Sequence, residues 1–246
     1  YAMRYGSPSI ASVLDELKAQ GTTRVLIVPL YPQYSATTTA SVNDAVHQWA
    51  LQVRTTPELR FVNHYHDHDG YIGALAKRVA DHWRSNGRPD KLVFSFHGVP
   101  KRTLMLGDPY HCECLLGERL GIAKADMLVT FQSRLGRAEW LQPYTEPTLI
   151  ALAKQGVKKV DLMCPGFTSD CLETLEEIDQ EAREAFLHAG GTEFNYLPCL
   201  NDQHEWIAAL ADIAVNHLQG WPTHGRPDLV ALEAQRQDAM AMGAAA

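Results

Sequence analysis

His97 closes an apolar run, KLVFSF over 91–96, and Gly98 follows it. An imidazole in that position stands at the mouth of a cleft with backbone room beside it, and offers either a nitrogen for a borderline metal or a base that titrates near neutrality. A single histidine of this kind also serves as an ordinary structural residue. Glu173, Glu177 and Glu181 recur every four residues in the segment CLETLEEIDQEA. On an α-helix they stack along one face with only about 40° of drift per step, forming a ladder that could relay protons or hand over a cation inside a closed cleft. The same spacing suits a solvated face, because Leu172, Leu175, Ile178, Ala182 and Phe186 fall broadly opposite, and Asp170 with Glu173 fits a capping box. His64, His66 and His68 alternate with Tyr65 and Asp67. On an extended strand the three imidazoles would share one side and could capture a metal, whereas in a polar loop ahead of a helix they carry no such role. Cys112 and Cys114 have the wrong spacing for a zinc knuckle and read as ordinary thiols.

The elements that must position these groups alternate from end to end. Apolar periodicity predicts helices over 9–20, 40–53, 71–83, 114–120, 146–155, 171–189 and 202–218, and strands over 24–30, 59–63, 91–97, 127–132, 159–164 and 193–197. That alternation implies parallel sheets covered by helices on both faces, with ligands expected beyond the carboxyl ends of the strands. Four of those ends are loaded with polar and aromatic residues: PLYPQYS (29–35), SFHGVP (95–100), TFQSR (130–134) and CPGFTSD (164–170). None contains a glycine-rich phosphate cradle, which disfavours a dinucleotide or ATP enzyme. The loop over 85–89 is the natural internal boundary, and the segment from Gln219 onward reads as a loose tail.

Composition narrows the classes further. With 246 residues, 46% apolar and 21% charged, the chain is globular and long enough for substantial cores. The formal net charge of -7 argues against a nucleic-acid partner. Five cysteines, an odd number, are unlike a secreted disulfide framework and point to reduced thiols in the cytoplasm. No run approaches the roughly 18 to 20 apolar residues that a membrane-spanning helix needs, which leaves surface association with a membrane open. The chain opens on Tyr1-Ala2-Met3, so its first element reads as the middle of something longer.

Taken together, PLYPQYSATTTAS (29–41), SFHGVPKR (95–102), GDPYHCEC (107–114), TFQSRLGRAEWLQPYT (130–145) and CPGFTSDCLETLEEI (164–178) closely resemble ferrochelatases of the proteobacterial type, in that order. The likeness runs from about Arg4 to Leu218. It implies two Rossmann-like domains of chelatase type with a porphyrin cleft between them: the remainder of a first domain over 1–89, a second over 90–203, a final helix over 202–218 packing back on the first, and a tail over 219–246. The reaction it implies is insertion of ferrous iron into protoporphyrin IX, the last step of haem synthesis. Carried over by motif position, His97 and Glu173 are the pair that faces the macrocycle centre and meets the metal, Glu177 and Glu181 continue the acidic line, and Arg4 and Tyr5 line the cleft entrance. Tyr34 and Ser35, in the loaded end PLYPQYS, are the further substrate-binding candidates.

The resemblance further implies an N-terminally truncated chain and a shortened helix after Cys114. It implies no [2Fe-2S] cluster, since Ala36 stands where cluster-bearing members place a cysteine. The expected partners are porphyrin and ferrous iron, the latter as substrate, with no permanently bound cofactor. Two other readings share parts of the pattern: a cobalt or nickel chelatase of another tetrapyrrole, and a non-catalytic haem- or metal-binding remnant.

Overall fold

The computed structural model describes residues 1–115, 122–123, 126–223 and 228–244. The shortened helix expected after Cys114 lies outside the described residues.

Two parallel sheets organise the chain. The first pairs β1 (Arg24–Ile27) with β2 (Glu58–Phe61), joined through α2 (Thr39–Gln52), with α1 (Ile10–Ala19) ahead of β1. Their apolar faces meet in a small core of Leu14, Val25, Val46 and Trp49. Ser9 caps α1 as its spacing requires, accepting a hydrogen bond from the Ser12 N–H.

The second sheet has the order β4-β3-β5-β6, built from β3 (Lys91–His97), β4 (Met127–Gln132), β5 (Lys159–Met163) and β6 (Glu193–Leu197), all parallel. Its two faces bury different helices. Leu92, Phe94 and Phe96 face α3 (Asp69–Asn86) and α9 (His204–His217), while Val93, Val160 and Leu162 face α6 (Thr145–Lys154) and the helical segment that follows β5. That alternation along β3 is the period-two pattern of a strand covered on both sides. From β3 the chain steps one way to β4 and the other way to β5, so the carboxyl ends of β3 and β5 flank a topological switch point. Strand β5 stops at Met163, paired with Phe94, so His97 projects three residues beyond the last rung.

Three local differences from the sequence reading have physical causes. The helix expected over 171–189 is α-helical at α7 (Leu172–Leu175), π-helical over Glu177–Ala182 and α-helical again at α8 (Arg183–His188). The Glu181 N–H reaches back five residues to the Glu176 carbonyl, and the widened turn shifts the helix phase. Ile178, Ala182 and Phe186 are therefore buried, whereas Leu172 and Leu175, expected on the same face, are 69% and 46% exposed. Asp170 is not the cap of this helix. Cys171 and Thr174 form the capping box, and Asp170 instead accepts hydrogen bonds from Tyr196 Oη (2.6 Å), Asn201 Nδ2 (2.7 Å) and the Cys199 N–H (3.1 Å). Finally, the segment beyond Gln219 contains α10 (Leu229–Ala241), capped by Asp228 but with no buried residue. Its Ala, Leu, Gln and Met content favours a helix that has no apolar face to dock. Two short helices, α4 (Lys101–Met105) and α5 (Tyr110–Glu113), occupy what reads in sequence as a loop.

Helix α9 packs on α3 through aromatic contacts. The Trp206 ring lies 5.7 Å from both Tyr65 and Tyr71, and all three are buried. Replacing Trp206 with Ala should cost about 3–5 kcal/mol of unfolding free energy in urea titrations, the usual range for truncating a buried aromatic. A loss below about 1 kcal/mol would show that this aromatic cluster does not hold α9 in place.

Candidate active site

The site is assembled at the switch point from the ends of β3, β4 and β5. His97 is half-buried between Trp140 and Phe167, with ring centroids 6.3 and 6.4 Å away. Its Nδ1 donates to the Gly98 carbonyl at 2.7 Å. A carbonyl can only accept, so the neutral ring carries its proton on Nδ1 and presents a lone pair on Nε2, the nitrogen free to take a proton or a metal. Gly98 is held by its own N–H, which donates to the Gln132 carbonyl at 2.7 Å and continues the β3–β4 ladder one step past the strand. A Cβ at Gly98 would lie 2.8 Å from that carbonyl oxygen and 3.0 Å from the Trp140 ring, so only glycine allows the approach.

Glu173 enters from the start of α7. Hydrogen bonds from the Cys171 thiol and from its own backbone N–H outweigh burial and hold its carboxyl below the ordinary glutamate range. It is a carboxylate at neutral pH. Glu177, one turn on, is clamped to the end of β4: it accepts from the Ser133 N–H (2.6 Å), the Ser133 hydroxyl (2.5 Å) and Gln132 Nε2 (3.4 Å). Ser133 adopts a φ of 61°, the left-handed region, which turns its N–H and hydroxyl onto the same carboxylate. Gln132 also donates to the Glu173 carbonyl at 2.8 Å, tying both acidic positions to β4. Behind it, Ser95 bridges Gln132 Oε1 and Thr145 Oγ1, both at 2.7 Å, and Thr145 donates to Thr130 at 2.9 Å. Glu181 is exposed. The three glutamates thus run from the His97 side outward to solvent.

Arg4 and Tyr5 both hydrogen-bond Ser41 on α2, Arg4 Nε to its carbonyl at 2.8 Å and Tyr5 Oη to its hydroxyl at 3.0 Å. Tyr31 lies beside them; burial first, and then Tyr5, raise its phenol above the usual range against the opposing Arg4 charge. Ser35 is fully buried, its hydroxyl committed to Asp108 at 3.0 Å, while the Tyr34 N–H donates to Glu113 at 2.7 Å. His64, His66 and His68 are not brought to one side. The first two meet Glu113 and the third meets Asp212 at 3.0 Å. A hollow of about 500 Å³ beside Arg24, Leu218 and Trp221 lies at the amino end of β1 and contains none of these groups.

Sequence reasoning did not single out Gln132, Ser133 or Glu113. The first two stand in the loaded TFQSR end, but nothing in their spacing shows that they grip a glutamate more than forty residues away. A buried carboxylate at Glu113 has no local signal at all.

A half-buried imidazole and a half-buried carboxylate thus stand at the carboxyl ends of a parallel, helix-covered sheet, the place where open α/β folds bind their ligands. Solved structures share this α/β architecture. SirB from Bacillus subtilis with Fe3+ matches with a TM-score of 0.59 at 14% identity, covering 87% of this chain and 79% of its own. CbiX, described as the terminal enzyme of sirohaem biosynthesis in denitrifying bacteria, matches with a TM-score of 0.55 at 16% identity, covering 81% and 78%. Those likenesses concern the fold. A sequence model of the ferrochelatase family matches residues 1–218. The ferrochelatase of Methylibium petroleiphilum is 66% identical over 100% of this chain and 69% of its own length, and that of Polaromonas sp. is 63% identical over 99% and 68%. The chain belongs to the ferrochelatase family, and its reaction is the insertion of iron into porphyrin for haem synthesis. None of the helices among the described residues is long and apolar enough to cross a membrane.

Asp170, the hub joining the loop after β5 to the loop after β6, supplies a pH-dependent test. Burial opposes its ionisation, but hydrogen bonds from Asn201, Tyr196 and Cys199 prevail and depress its carboxyl below the ordinary value. A depressed folded-state value stabilises the protein above the unfolded aspartate value of about 3.9 and is lost as pH falls through the folded value. Asp170→Asn should therefore be less stable than the parent at neutral pH, with the gap closing below about pH 4 in urea unfolding. A gap that stays constant with pH would refute the assignment.

Proposed function

We propose that the porphyrin is protoporphyrin IX, that His97 accepts its pyrrole protons, and that Glu173 meets the ferrous ion and begins a relay through Glu177 to Glu181. The observation that carries this reading is the hydrogen bond from His97 Nδ1 to the Gly98 carbonyl, which leaves Nε2 as a base and ligand. Each insertion releases two pyrrole protons as Fe²⁺ sheds water and bonds the four nitrogens. A base on one side and an acidic path to solvent on the other meet that need. His97 takes one pyrrole proton on Nε2 and gives it up to the Glu173–Glu177–Glu181 path before it takes the second, so both protons leave to solvent. Glu173, already a carboxylate, offsets the resulting imidazolium charge and can itself bind the incoming cation.

Exposed apolar side chains support a flat, apolar substrate. Leu30 is 50% exposed beyond β1, and Leu172 and Leu175 stand exposed on α7. The Thr168 hydroxyl donates to the Leu30 carbonyl at 3.4 Å, which holds the two loops together. Arg4, Tyr5 and Tyr34 are the proposed porphyrin contacts, with Ser35 bracing their loop against Asp108. The proposed division falls near residue 89, between the two sheets. Helix α9, proposed to pack back on the first part, lies against α3, and its His217 carbonyl accepts from Arg60 on β2 at 2.8 Å. The proposed setting is cytoplasmic, with peripheral contact to a membrane that carries the apolar substrate.

Anaerobic insertion assays that follow loss of porphyrin fluorescence test the assignment. His97→Ala should lower turnover by about 10²–10⁴-fold, the usual worth of a positioned base, and Glu173→Gln should lower it by about 10²-fold. Full turnover by Glu173→Gln alongside an inactive His97→Ala would end the relay. Tight haem binding without any turnover by the unsubstituted protein would favour the non-catalytic reading instead.

A further inference from the structure

We propose that His64, His66 and Glu113 form a second divalent-cation site, sharing no residue with His97 and Glu173, for a borderline ion of the Zn²⁺, Co²⁺ or Fe²⁺ class. Glu113 is 7% exposed, at the inner side of the single turn α5. A buried carboxylate is costly unless its charge is matched, and three groups converge on this one. The Tyr34 N–H donates to Oε2 at 2.7 Å, His64 Nδ1 lies 2.8 Å from Oε1, and His66 Nδ1 lies 3.2 Å from Oε2.

The separations fit a shared ion. Ligand atoms bonded at about 2.0–2.1 Å to one cation, at angles between octahedral and tetrahedral, stand about 2.8–3.4 Å apart. The three candidate ligand atoms all lie within 4.8 Å of one another, and the two imidazole–carboxylate approaches fall close to that spacing before any ion pulls them together. Donor chemistry sets the class of ion. Two imidazoles and one carboxylate suit Zn²⁺, Co²⁺ and Fe²⁺, whereas Mg²⁺ and Ca²⁺ prefer all-oxygen shells. The His64 side chain is 50% exposed, so an ion can arrive from solvent.

The position gives the site a consequence. Glu113 also holds the Tyr34 N–H, and the adjoining Ser35 hydroxyl and Ala36 N–H bind Asp108 at 3.0 and 2.8 Å. An ion on Glu113 therefore ties the β2–α3 loop, α5 and the loop after β1 to one point. His68 takes no part, being bound to Asp212.

The test uses the full chain carrying His97→Ala and Glu173→Gln, which removes the other candidate ligands, titrated with Co²⁺ by calorimetry and visible absorption. One Co²⁺ per chain should bind with a ligand-field band. Adding His64→Asn and His66→Asn should weaken binding by about 100-fold or more while the far-ultraviolet circular dichroism is unchanged. If the double change disturbs folding, His64→Asn alone, at the half-exposed position, should still weaken binding by about 10-fold. Unchanged Co²⁺ affinity in the histidine variants, or no binding below about 1 mM in the starting protein, would overturn the site and leave an ordinary histidine–glutamate ion pair.

Discussion

A hydrogen bond of 2.7 Å from His97 Nδ1 to the Gly98 carbonyl decides which ring nitrogen is available, and the packing of Gly98 against the end of β4 holds that carbonyl in place. It requires the Gly98 backbone to sit against β4, which requires the absence of a Cβ beside the Gln132 carbonyl and the Trp140 ring. Strand β3 runs three residues past its last pairing with β5 while still paired with β4 at Gln132, which puts the imidazole at the switch point. Tyr110 adds a further restraint by donating its hydroxyl to the His97 carbonyl at 2.9 Å. A base whose tautomer is fixed before substrate arrives spends no free energy on choosing it during the reaction.

The carboxylates depend on the same sheet through a different device. Gln132 and Ser133 end β4 and grip Glu177, while Gln132 also takes the Glu173 carbonyl. The π turn coincides with this grip. Widening the helix by one hydrogen-bond step at Glu177 keeps Ile178, Ala182 and Phe186 in the core while the Glu177 carboxylate stays on the end of β4. A regular helix would have buried Leu172 and Leu175 as their spacing suggests; after the phase change they are exposed.

Much of this was legible in the residues. Strands β3, β4 and β6 match their expected bounds to the residue; the central strand β3, buried on both faces, leaves an almost unbroken apolar run, and the edge strand β6 an alternating one. His97 and the glutamate spacing are visible for the same reason: each follows directly from a strand end or a helical repeat. What could not be read are contacts between distant segments. Ser133 and Glu177, Glu113 and His64, and Asp170 and Asn201 are paired by tertiary folding, and no local spacing encodes them. The π turn was hidden because the sequence over 171–189 satisfies an α-helical period well enough, and only the clamp on Glu177 distinguishes the two. Helix α10 was missed for the opposite reason, since a helix that buries nothing has no periodic face to detect.

The central claim is that neutral His97 carries its proton on Nδ1 and offers Nε2 to substrate. Nitrogen-15 NMR of the protein labelled at histidine, with the His97 signals identified by their loss in His97→Ala, measures this directly. The account predicts a protonated Nδ1 and an unprotonated Nε2 once the ring is neutral. A majority of the opposite tautomer, with the proton on Nε2, would contradict it.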